Sequence, residues 1–186
     1  MTIKRIAVDE SWIETYTGKR FPLLHPEPSL VCIEDIAHAL ANQGRWTGHT
    51  KHFYSVAEHS IQVSRLCDPV DALWGLLHDA SEAYLSDLSR PVKHGTEIGP
   101  EYLKLERKLM EAICFHFDLI FDMPSSAKQA DNQVLIVEPD QLMSNADLAK
   151  EWADKKTIKT PPKLACWLPA RAEQMFLDEF GRLQTT

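Results

Sequence analysis

His78 and Asp79 stand side by side in the run Leu76-Leu77-His78-Asp79-Ala80-Ser81-Glu82-Ala83-Tyr84, two metal-binding side chains within an otherwise apolar helical pattern. An unpaired carboxylate in a protein interior costs several kcal/mol, so this aspartate needs either a partner or a surface position. A divalent cation is the natural partner. Glu82 follows His78 by four residues and Asp79 by three, a spacing that in a continuous helix puts its carboxylate on the same face, one turn on. Two ligands with an acid/base group beside them are the ingredients of metal-assisted hydrolysis.

Two further positions extend the set. His59 lies four residues after Ser55 on a face shared with Val63, Leu66 and Cys67, and so points inward; taken alone, an inward histidine is more often a hydrogen-bonded core residue than a ligand. Asp131 sits among Ala127, Val134 and Leu135 at helical spacing, which places a carboxylate on an apolar stripe, and it competes with Asp147 for the fourth position. An inward histidine, a His-Asp pair and an inward aspartate on three separate helices offer two nitrogens and two oxygens to one divalent metal ion. Mn, Co, Zn, Fe and Mg all suit such donors, with one or two positions left for water and a substrate oxygen.

The elements that must position these residues read as helices. Ile33, Ile36, Ala37 and Leu40 give a helical stripe from Ile33 to Ala41, with Gly44 as its stop. Ser55-Val56-Ala57-Glu58 is a capping box, with Ser55 accepting from an early N–H and Glu58 reaching back to the cap. Leu73, Leu76, Leu77, Ala80, Ala83 and Tyr84 predict one continuous helix that ends at Asp87 and Pro91. Tyr102 to Phe117 predicts a long amphipathic helix, Pro124-Ser125-Ser126 starts another through Val134 and Leu135, a further stretch covers Leu142 to Trp152, Pro161-Pro162 breaks the chain, and Pro169 opens a last helix through Phe180. No alternating strand pattern stands out. The expectation is an all-α, single-domain protein over residues 1–186: an irregular N-terminal arm over 1–32 tacked down by Trp12 and Phe21, a core region over 33–142, and C-terminal helices over 143–186.

Composition narrows the partners. The 186 residues carry 44% hydrophobic and 25% charged side chains and only 7 glycines, which fits a helical globular chain. A net charge of −7 disfavours a nucleic-acid polymer, whose phosphates need clustered Lys and Arg, while leaving room for a small phosphorylated ligand. Neither a signal peptide nor a membrane span is visible, so a cytoplasmic protein without membrane contact is expected. Cys32, Cys67, Cys114 and Cys166 are scattered without a CxxC pair and read as buried free thiols.

In order and content, Ser55-Val56-Ala57-Glu58-His59-Ser60, then His78-Asp79-Ala80-Ser81-Glu82 with Asp87 and Pro91-Val92-Lys93, then Lys128-Gln129-Ala130-Asp131 resembles the HD-domain metal-dependent phosphohydrolases over about Ile33 to Leu142. The likeness is greatest to the branch of bacterial 5'-deoxynucleotidases and phage-type dATP triphosphohydrolases. The resemblance implies an HD-type helical bundle, with His59, His78, Asp79 and Asp131 as metal ligands and Glu82 as the catalytic acidic residue. It also implies substrate contacts at Arg45 and Trp46, which match that branch's Arg-Trp pair beside phosphate and base, and at Asp87, toward the sugar 3'-hydroxyl. Lys93 and Lys128 stand as phosphate partners. The expected activity is conversion of dATP to deoxyadenosine and triphosphate, extending to dADP and dAMP. A 5'-deoxynucleotidase acting on monophosphates is the alternative, and a non-catalytic metal-bound nucleotide sensor is the alternative of another class. A deoxynucleotide and a second copy in a homo-oligomer are the expected partners. Two departures from the branch pattern are the longer arm before Ile33 and the loop Thr47-Gly48-His49-Thr50-Lys51-His52, whose histidines read as surface residues.

Overall fold

Helices carry almost all of the regular structure, as the apolar spacing predicts, in a computed structural model that describes residues 11–145, 147 and 162–185. In chain order they are α1 (Ile33–Asn42), α2 (Val56–Leu66), α3 (Ala72–Leu77), α4 (Glu82–Leu85), α5 (Arg90–Gly95), α6 (Gly99–His116), α7 (Ser125–Leu142) and α8 (Pro169–Gln184). The start signals operate locally: Ser55 Oγ accepts from the N–H of Glu58 at 3.0 Å, and prolines occupy the first turns of α5, α6 and α8, where their missing N–H is no loss. Among the described residues the fold is all-α apart from a short hairpin, β1 (Trp12–Glu14) antiparallel to β2 (Arg20–Pro22), and a single bridge between Gly44 and Ser55.

The described chain sorts into two compact units, each made from two separated stretches: residues 1–36 with 80–121, and residues 37–79 with 122–186. In the first, residues 12–22 of the arm expected to be irregular form an ordered hairpin. Three residues per strand are too few to show alternation, so the arrangement depends on its turn, where Gly18 takes φ +79°, and on Thr17, whose N–H and hydroxyl donate to Asp35 at 2.7 and 3.0 Å. Phe21 is fully buried and stacks on Tyr84 at 4.1 Å, as its anchoring role requires. Trp12 is 42% exposed instead, with the Arg20 guanidinium 4.6 Å over its ring. The junction of α5 and α6 needs Gly99, because a Cβ there would lie 1.9 Å from the carbonyl oxygen of Lys93.

The second unit packs α2 against α3, α7 and α8. Val63, Ala130 and Val134 form one buried cluster with Leu66 and Cys67 against it; Tyr54, Val137, Leu142 and Leu164 form another. Helices α2 and α3 approach closely at Gly75, where a Cβ would stand 2.4 Å from Cys67 Sγ and 3.2 Å from Ser64 Cα. Glu58 departs from the capping box. Its carboxylate turns away from the cap and accepts three backbone N–H groups, from Ala165 at 2.6 Å, Cys166 at 3.0 Å and Trp167 at 2.8 Å, so that the buried acid fastens the segment leading into α8.

The helix expected to run unbroken from Leu73 to Tyr84 is interrupted. α3 ends at Leu77, residues 78–81 form turns, and α4 begins at Glu82. The Gly75 carbonyl, which an uninterrupted helix would offer to the N–H of Asp79, accepts the Nδ1–H of His78 at 2.8 Å. α7 reaches Leu142, and most of the stretch expected up to Trp152 lies outside the described residues, as do Pro161 and the first ten residues of the arm. All four cysteines are free thiols, of which Cys114 is buried and the other three are partly exposed. Among the described residues no helix is long and apolar enough to cross a membrane.

Candidate metal centre

Three elements of the second unit bring four donor atoms to one place: His59 from α2, His78 and Asp79 from the end of α3, and Asp131 from α7. His59 Nε2 lies 3.3 Å from His78 Nε2, 3.1 Å from Asp131 Oδ1 and 3.8 Å from Asp79 Oδ2. His78 Nε2 lies 3.1 Å from Asp79 Oδ2 and 3.8 Å from Asp131 Oδ1. Donors bonded to one metal at about 2.0–2.2 Å stand roughly 3–3.5 Å from each other, which is close to these separations. The group His59, His78 and Asp131 is therefore able to hold a metal ion, and Asp79, outside that group, places Oδ2 3.1 Å from His78 Nε2.

Charge supports the fit. Asp79, Asp131 and Glu138 crowd around two imidazoles with Arg45 as the cationic side chain in contact, its Nη1 3.5 Å from Asp79 and its Nε 3.1 Å from Glu138. With the imidazoles neutral, as metal ligands must be, the cluster carries a surplus of two negative charges, the charge a divalent ion neutralises. A proton on His78 would offset one of these two charges. Burial works against a charged His78, yet Asp79 and Asp131 push its pKa up to about 9. Burial likewise disfavours ionised Asp79 and Asp131, but the two histidines hold both carboxyls below the usual range.

Both rings turn Nε2 toward the centre because each Nδ1 is engaged behind. His78 Nδ1 donates to the Gly75 carbonyl, and His59 Nδ1 faces Glu138 Oε1 at 2.7 Å. Such hydrogen bonds fix ring orientation and tautomer in metal sites. Glu138 is fully buried, and its other oxygen accepts from Trp46 Nε1 at 2.8 Å and Arg45 Nη2 at 3.2 Å. Burial would raise its pKa; Arg45, His59 and Trp46 outweigh that and hold it below the ordinary value. Sequence reasoning missed Glu138, although a signal existed: it stands seven residues beyond Asp131, hence two turns on along the same face, flanked by Val134 and Leu142.

Arg45 and Trp46, expected at the substrate, thus both contact Glu138 behind the metal centre, and Arg45 also contacts Asp79 directly. Trp46 and Thr47 both take left-handed backbone angles (φ 57° and 54°), and Gly48 continues the turn at φ +78°. For residues with a Cβ this conformation costs about 1–3 kcal/mol each, and it persists only when surrounding contacts impose it. Here the indole and guanidinium contacts to Glu138 supply that constraint.

The remaining candidates are not among these donors. Lys128 is exposed on α7, Asp147 is exposed, and His49 and His52 are exposed in the loop after Trp46. Glu82, Asp87 and Lys93 belong to the first unit. Glu82 is buried at the start of α4. Lys93 places Nζ 3.2 Å from Asp87 and 3.1 Å from Glu106, and lies 5.2 Å over the ring of Tyr102. Although partial burial opposes it, these two carboxylates hold the Lys93 ammonium well above its ordinary pKa. The structure therefore pairs two of the expected substrate residues, Asp87 and Lys93, with each other.

No family model matches the chain. Among curated proteins it is similar to the uncharacterized protein YfdR of Escherichia coli strain K12, 33% identical over 175 residues that cover 93% of this chain and 96% of that protein. An uncharacterized protein of Rhodobacter capsulatus is 36% identical over 174 residues, 87% of this chain and 86% of its own length.

Proposed function

The chain belongs to the family of the Escherichia coli protein YfdR, and for it we propose a metal-dependent phosphohydrolase acting on deoxynucleotides, with dATP as the leading substrate and deoxyadenosine and triphosphate as products. The observation that carries this reading is the convergence of His59 Nε2, His78 Nε2 and Asp131 Oδ1 at 3.1–3.8 Å from one another, with Asp79 Oδ2 3.1 Å from His78 Nε2 and 3.8 Å from His59 Nε2, beside Arg45. A divalent ion held by these residues would supply a nucleophilic water at neutral pH and would neutralise charge on a phosphoryl group.

The chain's own groups take the other parts. Arg45 keeps a permanent positive charge at the edge of the donor set, suited to a phosphate oxygen, and Trp46 offers a face on which a base stacks. Glu82, four residues beyond His78 in sequence, is the acid/base residue that takes a proton from water and returns one to the leaving 5'-oxygen. Asp87 accepts from the sugar 3'-hydroxyl, with Lys93 paired to it and Lys128 as a further cation toward phosphate. The HD-domain resemblance supports these assignments, and the pairing of Asp87 with Lys93 is compatible with a sugar-edge contact beside a phosphate contact.

The test is a side-by-side assay of dATP, dAMP, dGTP, dCTP, TTP and ATP with Mn²⁺, separating tripolyphosphate from orthophosphate. Tripolyphosphate from dATP is expected. Orthophosphate from dAMP alone would turn the assignment to a 5'-deoxynucleotidase. Equal rates on ATP and dATP would remove the sugar argument, and no release from any nucleotide would refute the enzymatic reading.

A further inference from the structure

Glu138 has no solvent exposure, and its two oxygens are engaged by different elements. Oε1 faces His59 Nδ1 at 2.7 Å and Arg45 Nε at 3.1 Å; Oε2 accepts from Trp46 Nε1 at 2.8 Å and Arg45 Nη2 at 3.2 Å. We propose that Glu138 is a positioning residue that sets the register between the metal ligand His59 and the Arg45-Trp46 turn, so that one buried carboxylate orients both the ion-binding ring and the substrate anchor. The inference rests on the reading of His59 as a ligand.

Three features carry it. Glu138 and Asp131 share one face of α7, so the same helix contributes one ligand directly and orients another. The His59 ring is fully buried, and it presents Nε2 to Asp131 and His78 only while Nδ1 has an acceptor on its far side. The turn at Trp46 and Thr47 holds an unfavourable left-handed backbone, fastened at its indole by Glu138. A glutamine in that place would have one acceptor oxygen and one N–H₂ group, and so would turn a donor toward either His59 or the Trp46 and Arg45 donors.

The experiment is calorimetric titration of metal-free full-length protein with Mn²⁺ alone, wild type against Glu138→Gln, with hydrogen exchange of the Trp46 indole N–H followed by NMR. An amide N–H₂ turned toward His59 is expected to weaken Mn²⁺ by about 10–100-fold, and one turned toward Trp46 is expected to let the indole N–H, protected in the wild type, exchange quickly. Wild-type Mn²⁺ affinity together with wild-type indole exchange in folded Glu138→Gln overturns the proposal and leaves the metal centre standing; no Mn²⁺ uptake by the wild type overturns both. Should Glu138→Gln fail to fold, nitrogen NMR of wild-type protein loaded with Zn²⁺ decides. Protonated Nδ1 with metal-bound Nε2 on His59 is the expected tautomer, and the reverse overturns the proposal.

Discussion

The carbonyl of Gly75 accepts the Nδ1–H of His78 at 2.8 Å, so a residue without a side chain orients the ring of a candidate metal ligand. The same glycine lies where α2 and α3 come closest, with Cys67 Sγ 2.4 Å from the position a Cβ would take. Gly75→Ala is therefore expected to force the two helices apart, lowering stability by about 1–3 kcal/mol, the usual cost of overpacking. It should weaken metal binding as well, because a shift of this backbone moves the carbonyl that orients the His78 ring. Urea denaturation and Mn²⁺ titration measure the two effects, and adding Cys67→Ala should restore part of both.

Asp79→Ala and Asp131→Ala are each expected to lose metal content and turnover together while the far-ultraviolet circular dichroism spectrum is retained. Asp147→Ala serves as the control, since that residue is exposed and outside the donor group. Metal analysis of the three purified variants checks the assignment; unchanged metal affinity in Asp131→Ala would return the fourth position to another carboxylate.

Glu82→Gln separates acid/base work from ligation. Bound metal should stay near the wild-type level while turnover falls by about 10²–10⁴-fold, the size of a general acid–base contribution. A parallel loss of metal in Glu82→Gln would make Glu82 a ligand instead.

The metal-free protein should be more stable at pH 6 than at pH 10, in part through His78. Its folded-state pKa of about 9 lies above the ordinary 6.5 because Asp79 and Asp131 favour the imidazolium over the cost of burial. The folded state then binds the proton more tightly than the unfolded chain, so this stabilisation is fully present below about pH 6.5 and disappears as the pH rises through 9. Thermal melts of metal-free wild type and His78→Gln across that window should converge at the alkaline end, whereas a pH-independent difference would contradict the shift.

Much of the centre was legible because its residues break a local rule. Asp79 and Asp131 are carboxylates on apolar stripes, and the Ser55 cap and the proline starts act within one turn, so sequence spacing finds them. Glu138 breaks the same rule on the same helix, but its three partners are Arg45, Trp46 and His59, all 79 or more residues away, and no local pattern names them. Glu58 shows the same limit, since the backbone groups it accepts begin 107 residues downstream. The interruption after Leu77 was hidden for a different reason: the apolar stripe continues through it, while the departure from helix lies in hydrogen bonding that side-chain type does not record.

His59 and Asp131 are 72 residues apart in sequence, with all of α3, α4, α5 and α6 between them in the chain. An ion shared by the two would act as a removable cross-link, closing a long loop whose entropic cost the metal–ligand bonds offset. The unfolded chain offers no such set of donors, so affinity for the ion would also be a contribution to folding. On the ribosome the clasp would stay open until α7 had emerged, and a chelator added to the finished protein would lower its melting temperature as well as stop its chemistry.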